Sequence, residues 1–226
     1  MPLKRKFSVE LQRTISSAKA FKCIPCYEKF ESIAATNFNN SFNLSNKNGQ
    51  NSNQYHIYFL MDPRITCNLS NEAKQKNFKE IVIWKQFLNS IFYVGKAKSN
   101  RTYSHLYDAM NEYRKDIFNP KRSREKCLTL NKLRRIVDIW GNGLGVVSLQ
   151  VFQNFKSSEA YTREAAIIDA LSLRNLTNKK RGVYYGPSSN WTAKGKKLLG
   201  ISLLYNAMQI FLSENETQLF PRDLIK

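Results

Sequence analysis

Residues 36–54, TNFNNSFNLSNKNGQNSNQ, hold eight asparagines and no acid. A tract of that composition has too little apolar surface to offset the entropy of ordering it, and it is expected to be a linker. It divides the chain. Residues 1–35 before it are expected to hold at most a short helix around Phe7, Leu11, Ile15 and Ala18, loosely attached. Residues 1–54 therefore form an N-terminal extension and Asn-rich linker, largely disordered, and the folded unit is expected over residues 55–226. The 226-residue chain is 42% hydrophobic and carries 28 aromatic residues, enough for one ordinary domain with a sizeable core.

Hydrophobic periodicity outlines that unit. Tyr55–Met61 is a compact apolar run stopped by Pro63 and predicts a strand. Phe78, Ile81, Trp84, Leu88 and Ile91 recur at helical spacing and predict one helix over 71–90. A second strand is predicted from Ile91 to Gly95. Tyr103, Leu106, Tyr107, Met110, Tyr113 and Ile117 then give a helical stripe ended by Asn119-Pro120. Leu130, Leu133, Val137 and Trp140 predict another helix, and Val146–Phe152 a third strand. Helices over 158–173 and 194–213 complete the chain. The expected fold is α/β: a small, mainly antiparallel three-stranded sheet flanked by helices, with a long C-terminal helix.

Charge narrows the function. Lys and Arg number 36 against 17 Asp and Glu, a formal net charge of +19. A polyanionic partner is implied, nucleic acid or an acidic membrane surface. The longest apolar stretch, Leu198 to Leu212, contains Asn206 and Gln209 and is too short to span a bilayer. Lys4-Arg5-Lys6 has no apolar run behind it, so no signal peptide is expected. Of four cysteines only Cys23 and Cys26 form a CxxC pair, while Cys67 and Cys127 stand alone; neither a disulfide framework nor a zinc site is expected. An intracellular location, nucleus and/or cytoplasm, follows. The charge is also unevenly placed. Residues 94–135 are net +8 and residues 170–213 net +7, whereas 136–169 between them are net −2. A basic surface with a small acidic island suits an enzyme that cleaves phosphodiesters, because cations hold the backbone and a carboxylate holds a metal. Of the four acids in the island, Asp138, Glu159 and Asp169 are expected to be ordinary surface charges.

Glu164 is the exception. It lies on the stripe of Tyr161, Ala165, Ile168 and Leu171, so it points along the buried side of its helix. A carboxylate there must sit at the stripe's edge, pair with a cation, or bind a metal. Upstream, Phe92-Tyr93-Val94-Gly95-Lys96-Ala97-Lys98 runs from a strand through a glycine into a Lys-rich turn. Arg101 and His105 follow as i, i+4 partners on the next helix. Lys96, Lys98, Arg101 and a helix N-terminus make a phosphate site. Tyr58 and Tyr93 alone are equally consistent with core aromatics, and Asn178 with a turn residue.

Taken in order, these residues resemble the GIY-YIG nuclease superfamily. Tyr58 in Ile57-Tyr58 matches the first tyrosine, Tyr93 in Tyr93-Val94-Gly95 the second, Arg101 the arginine, Glu164 the glutamate and Asn178 the asparagine. His56 stands where the first triplet has glycine, and Asp62–Ser90 is a long insertion between the two tyrosine motifs. That insertion, with Tyr103-Ser104-His105-Leu106-Tyr107, Asp138-Ile139-Trp140, Ala160–Leu171 and Gln218–Leu224, is similar to the nuclease domain of animal ankyrin-repeat and LEM-domain endonucleases. Residues 1–54 are too short for those other modules, so their targeting role does not carry over.

The resemblance implies hydrolysis of DNA with one divalent ion, Mg²⁺ or Mn²⁺, on Glu164. Tyr58 or Tyr93 would be the general base, aided by Lys96, Arg101 and His105. Arg101 would also clamp the phosphate, and Asn178 would orient the glutamate or a loop. Products would carry a 5′ phosphate and a 3′ hydroxyl. Lys98, Lys121, Arg122, Arg124, Lys179, Lys180 and Arg181 would contact the DNA backbone, with Tyr184, Tyr185 and Trp191 stacking on unpaired bases. Branched or flapped DNA is the expected substrate, no membrane is expected as partner, and genome maintenance is the expected role. Two other readings stand beside this one. An inactive DNA-binding module would have lost Glu164 together with Arg101 or a tyrosine. A mobile-element nuclease would carry a DNA-binding or reverse-transcriptase segment.

Overall fold

The computed structural model describes residues 5–43, 54–98, 103–118 and 132–225. Its centre is β1 (Tyr55–Met61), an apolar run buried along nearly its whole length because both faces are covered. β2 (Ile91–Lys98) and β3 (Val146–Phe155) pair with it antiparallel on either side. A two-residue strand, β4 (Gln218–Leu219), adds to the far edge of β3, so the order is β2-β1-β3-β4. The sheet thus has four strands where three were expected. Two residues with one ladder partner each leave no periodic signature in the sequence.

Alternation along β1 builds two cores. Ile57, Phe59 and Met61 face the larger one, under α6 (Glu80–Ser90), α9 (Ser157–Leu171) and α10 (Ala193–Ser213). Tyr58 and Leu60 face the smaller one, under α7 (Ser104–Phe118) and α8 (Lys132–Gly141). The single helix expected over 71–90 is two: α5 (Leu69–Gln75) and α6 are separated by extended backbone at Lys76 and Lys79. Phe78, which the helical spacing assigned to a buried stripe, lies on that connector and is exposed. Before α5, Asp62 caps the short helix α4 (Pro63–Thr66) and is itself buried between Arg64 and Arg135. None of the described helices is long and apolar enough to cross a membrane.

The N-terminal segment departs most from expectation. Residues 9–43 hold α1 (Val9–Ser16), α2 (Ala18–Lys22) and α3 (Glu28–Asn43). Far from loosely attached, Phe7, Leu11, Phe21, Ile24, Ala34 and Phe38 belong to the larger core. Polar contacts fix the same junction. The Ser8 amide donates to the Ala170 carbonyl at 3.0 Å, closing α1 onto the end of α9. Trp84 donates to Thr14 Oγ1 at 3.0 Å. Arg163, 4% exposed, is held between Glu159 and Glu31 of α3 at 2.9 Å each. The physical reason is spacing. Tyr27, Phe30, Ala34 and Phe38 recur every three or four residues, which gives α3 an apolar stripe despite its asparagines. Mean composition concealed that stripe. Residues 44–53 of the Asn-rich tract lie outside the described residues.

Candidate active site

The site is built on the pairing of β1 with β2. Register places Tyr58 directly opposite Gly95. The Tyr58 ring lies over the glycine: a Cβ on Gly95 would stand 2.6 Å from Tyr58 Cζ. Gly95 is thus the seat of the tyrosine. From that seat the Tyr58 ring meets the Tyr93 ring at 5.9 Å. Gly95→Ala must push Tyr58 aside, so we expect it to lower the melting temperature by several degrees, as overpacking of about 1–3 kcal/mol does. DNA cleavage by that variant should fall more than its stability does; cleavage within twofold of the parent would show that the seat does not matter.

β2 is an edge strand, and its open side is covered by the segment after α9. The Thr177 amide donates to the Phe92 carbonyl at 2.7 Å. Asn178 then mimics a strand partner: its Oδ1 accepts from the Val94 amide at 3.1 Å and its Nδ2 donates to the Val94 carbonyl at 2.7 Å. Asn178 therefore positions the loop against Tyr93-Val94-Gly95. Gly182 lays the end of that loop flush on α9, since a Cβ there would stand 2.4 Å from Ala165 Cα, beside Glu164.

Between loop, strand and helix lies a cleft of about 430 Å³, lined by Tyr93, Lys96, Lys132, Tyr161 and Glu164 and walled by residues 177–183. Glu164 is 9% exposed. Its partner is a lysine: Lys96 Nζ donates to Oε2 at 2.6 Å and also sits 3.6 Å from the Tyr161 ring centroid. Burial pushes the Glu164 carboxyl up, and the Lys96 ammonium and amide oppose that rise. Both tyrosines are pushed up by burial. The hydrogen bond between them separates the pair, raising Tyr58 further and lowering Tyr93. His105, on α7, places Nε2 3.5 Å from the Tyr93 hydroxyl. Burial, with Lys132 nearby, brings its pKa down to about 4, so the imidazole is neutral at pH 7. It is not one of the cations a phenolate needs.

Lys132 is. Its ammonium stands 4.1 Å from the Tyr93 ring centroid, and burial brings its pKa down to about 7. Neither Lys132 nor Tyr161 was singled out for chemistry in the sequence. Lys132 starts α8 after a run of basic residues, where nothing in the spacing marks one lysine from its neighbours. Lys179, Lys180 and Arg181 line the cleft wall and are exposed to solvent or nearly so. Lys98 lies at the open end of β2, 5.5 Å from the Tyr55 ring. Arg101, Lys121, Arg122 and Arg124 lie outside the described residues.

Two expectations, those for Asp169 and Glu159, need correction. Asp169 is half-buried and accepts from the Tyr184 hydroxyl at 2.8 Å, and Glu159 is buried against Arg163, so neither is an ordinary surface charge. Tyr184 carries Lys196 on its face at 4.5 Å, and Trp191 packs edge-on to Phe30 at 5.9 Å. Tyr185 likewise packs edge-on to Tyr161 at 5.4 Å, and of the three rings it alone is exposed.

Comparison with known proteins bears on this arrangement. The model of the LEM-3-like GIY-YIG domain family matches residues 55–226. The chain belongs to the LEM-3-like GIY-YIG family. It is 40% identical to the ankyrin repeat and LEM domain-containing protein 1 of Mus musculus over 167 residues, 74% of this chain and 29% of the relative. The Homo sapiens protein of that name is 41% identical over 74% of this chain and 26% of its own length. The Caenorhabditis elegans homologue is 35% identical over 67% and 19%. The chain thus spans less than a third of these relatives. No solved structure matches it. The GIY-YIG assignment identifies a nuclease, a hydrolase acting on DNA, and of the residues that carried the resemblance Tyr93, Glu164 and Asn178 line the cleft while Tyr58 is buried against the Tyr93 ring.

Proposed function

We propose that this GIY-YIG nuclease is a metal-dependent, structure-selective endonuclease that hydrolyses phosphodiesters in branched DNA, within the nucleus and/or cytoplasm and in genome maintenance. The observation that carries the reading is Glu164, a carboxylate kept largely from water in a cleft that Lys179, Lys180 and Arg181 also line. Lys96 compensates the burial of that carboxylate, and the same acid beside three further cations suits a cleft that receives a metal cation on Glu164 and a phosphate on the basic residues.

Among the described residues no three of His, Cys, Asp and Glu gather as a metal site. An ion held by Glu164 would therefore draw most ligands from water and phosphate, the habit of Mg²⁺ and Mn²⁺ rather than of a closed zinc site. A divalent ion there supplies charge stabilisation to the phosphate and the leaving oxygen. The chain's own residues do the rest. Tyr93 orients the attacking water and takes its proton at the phenol oxygen. Tyr58, held higher in pKa, keeps its own proton and donates to Tyr93. Lys132, over the Tyr93 ring, favours the ionised phenol electrostatically. Neutral His105 fixes the hydroxyl's direction. Arg101 holds the scissile phosphate.

Tyr93→Phe is expected to lower single-turnover nicking by about 100-fold or more, the usual scale of a general base, and Tyr58→Phe by less. Equal losses in both variants would refute the assignment of Tyr93 as base. The broader test is a panel of linear, flap, fork and four-way DNA in Mg²⁺, Mn²⁺, Ca²⁺ and EDTA. Nicking confined to branched substrates and to Mg²⁺ or Mn²⁺ supports the reading. Equal cutting of linear duplex, or cutting in EDTA, overturns it.

A further inference from the structure

A second cleft opens on the other side of residues 177–184. At about 970 Å³ it is roughly twice the size of the catalytic one, and Arg181 lines both. Its walls come from three places: the start of α1, the segment after α9, and the start of α10. Arg174, Arg181, Lys196 and Lys197 face it. Two carboxylates lie against these four cations, and both are already engaged. Asp169 accepts from Tyr184, and Glu10 pairs with Lys197 at 3.2 Å. Arg174 uses only its Nε inside the protein, donating to the Lys6 carbonyl at 3.3 Å, and pairs with no carboxylate among the described residues. Lys196 is fixed by donating to the Ser189 carbonyl at 2.7 Å.

The geometry points to a second backbone-binding cleft, for phosphates of the same DNA strand or arm that enters the catalytic cleft. This rests on the nuclease reading above. The placement on α9 supports it. Glu164 faces the first cleft and Asp169 the second, five residues and about 7.5 Å along one helix axis. The two residues also point about 140° apart around the helix, so 7.5 Å is a lower bound; phosphates of one strand advance about 3.4 Å each along a duplex axis, which places the second cleft at least about two nucleotides from the scissile phosphate. Arg181 between them makes the positive track continuous. The N-terminal segment supplies one wall of the cleft: Phe7, Ser8 and Val9 lie outside residues 55–226, the part matched by the family.

The test uses the full chain carrying Arg174→Gln and Lys196→Gln together, with Arg174→Lys and Lys196→Arg as the charge-preserving pair. Binding of a four-way junction and a flap is measured against salt. Two lost phosphate contacts should lower the slope of log K against log salt by about 1.8, weaken binding about tenfold or more near 0.1 M salt, and raise KM with kcat within twofold. The charge-preserving pair should restore all three. Wild-type chain assayed on DNA with single neutral methylphosphonates should bind severalfold more weakly at one or more neutral positions at least about two nucleotides from the cut. An unchanged salt slope, or indifference to every flanking methylphosphonate, overturns the inference. So does a Gln pair that loses an acidic peptide probe but not DNA, which would assign the cleft to a protein partner. If the wild type cuts no DNA, the nuclease reading fails while the salt slope still decides the cleft, since it needs only binding.

Discussion

Glu164→Gln should abolish nicking, by about 1,000-fold or more, while leaving the fold and DNA binding in place. The amide keeps the size and most of the shape of the carboxylate. It removes the only carboxylate among the described residues that lines the cleft. An uncharged oxygen holds a divalent ion poorly, because hard cations select charged oxygen ligands. The loss belongs to the chemical step. DNA affinity should stay level or rise, since one negative charge leaves a cleft walled by Lys179, Lys180 and Arg181. Lys96 loses its counterion in the exchange, so a small drop in melting temperature is expected too. Single-turnover nicking, fluorescence anisotropy and thermal unfolding separate these effects. Nicking within tenfold of the parent would sink the assignment of Glu164 as the metal-holding residue.

The same residue sets an acid limb. The ionised carboxyl is the working form, and burial raises its pKa. Activity should therefore fall, as pH is lowered, at a higher pH than an ordinary exposed carboxylate would dictate. Lys96→Met removes the group that opposes that rise, and should move the limb higher still. A limb that does not move with Lys96 belongs to another group.

Some of this site was legible because its residues sit on regular elements. The apolar run of β1 and Tyr93-Val94-Gly95 announced two strands, although β2 runs on through Lys98 where a strand end at Gly95 and a Lys-rich turn were expected, and their pairing brings Tyr58 over Gly95. Glu164 was marked by helical spacing as a charge in the wrong place. What spacing could not give was its partner. Lys96 reaches Glu164 across 68 positions, a contact fixed by how α9 crosses the sheet. Lys132 was invisible for the same reason. Asn178 has a residue type suited to turns, and only the free edge of β2 explains why both ends of its amide are used. The N-terminal reading failed differently. Counting asparagines measured average polarity, whereas Ala34 and Phe38 show that a helix is retained by one face.

That failure leads to the other large effect, on stability. A chain shortened to residues 55–226, the span matched by the family, should lose most of its stability or fail to accumulate in soluble form. The missing segment contributes Phe7, Leu11, Phe21, Ile24 and Phe38 to the larger core, each at most 8% exposed. Burying one such side chain stabilises by about 1.5–3 kcal/mol, so the group amounts to something on the order of 10 kcal/mol, comparable to the whole net stability of a domain. Relief of the entropy of ordering α1 to α3 offsets part of this. It does not restore the uncovered surface: Trp84, fully buried, loses Thr14 as acceptor, and Arg163 loses Glu31. A loss of at least ~5 kcal/mol corresponds to a melting temperature lower by at least ~10 °C for a domain of this size. Supplying residues 1–54 as a separate peptide should recover much of the difference, because the contacts are packing and hydrogen bonds across a preformed face rather than chain connectivity. A shortened chain melting within about 2 °C of the full one would mean that α1 to α3 rest on the core without supporting it.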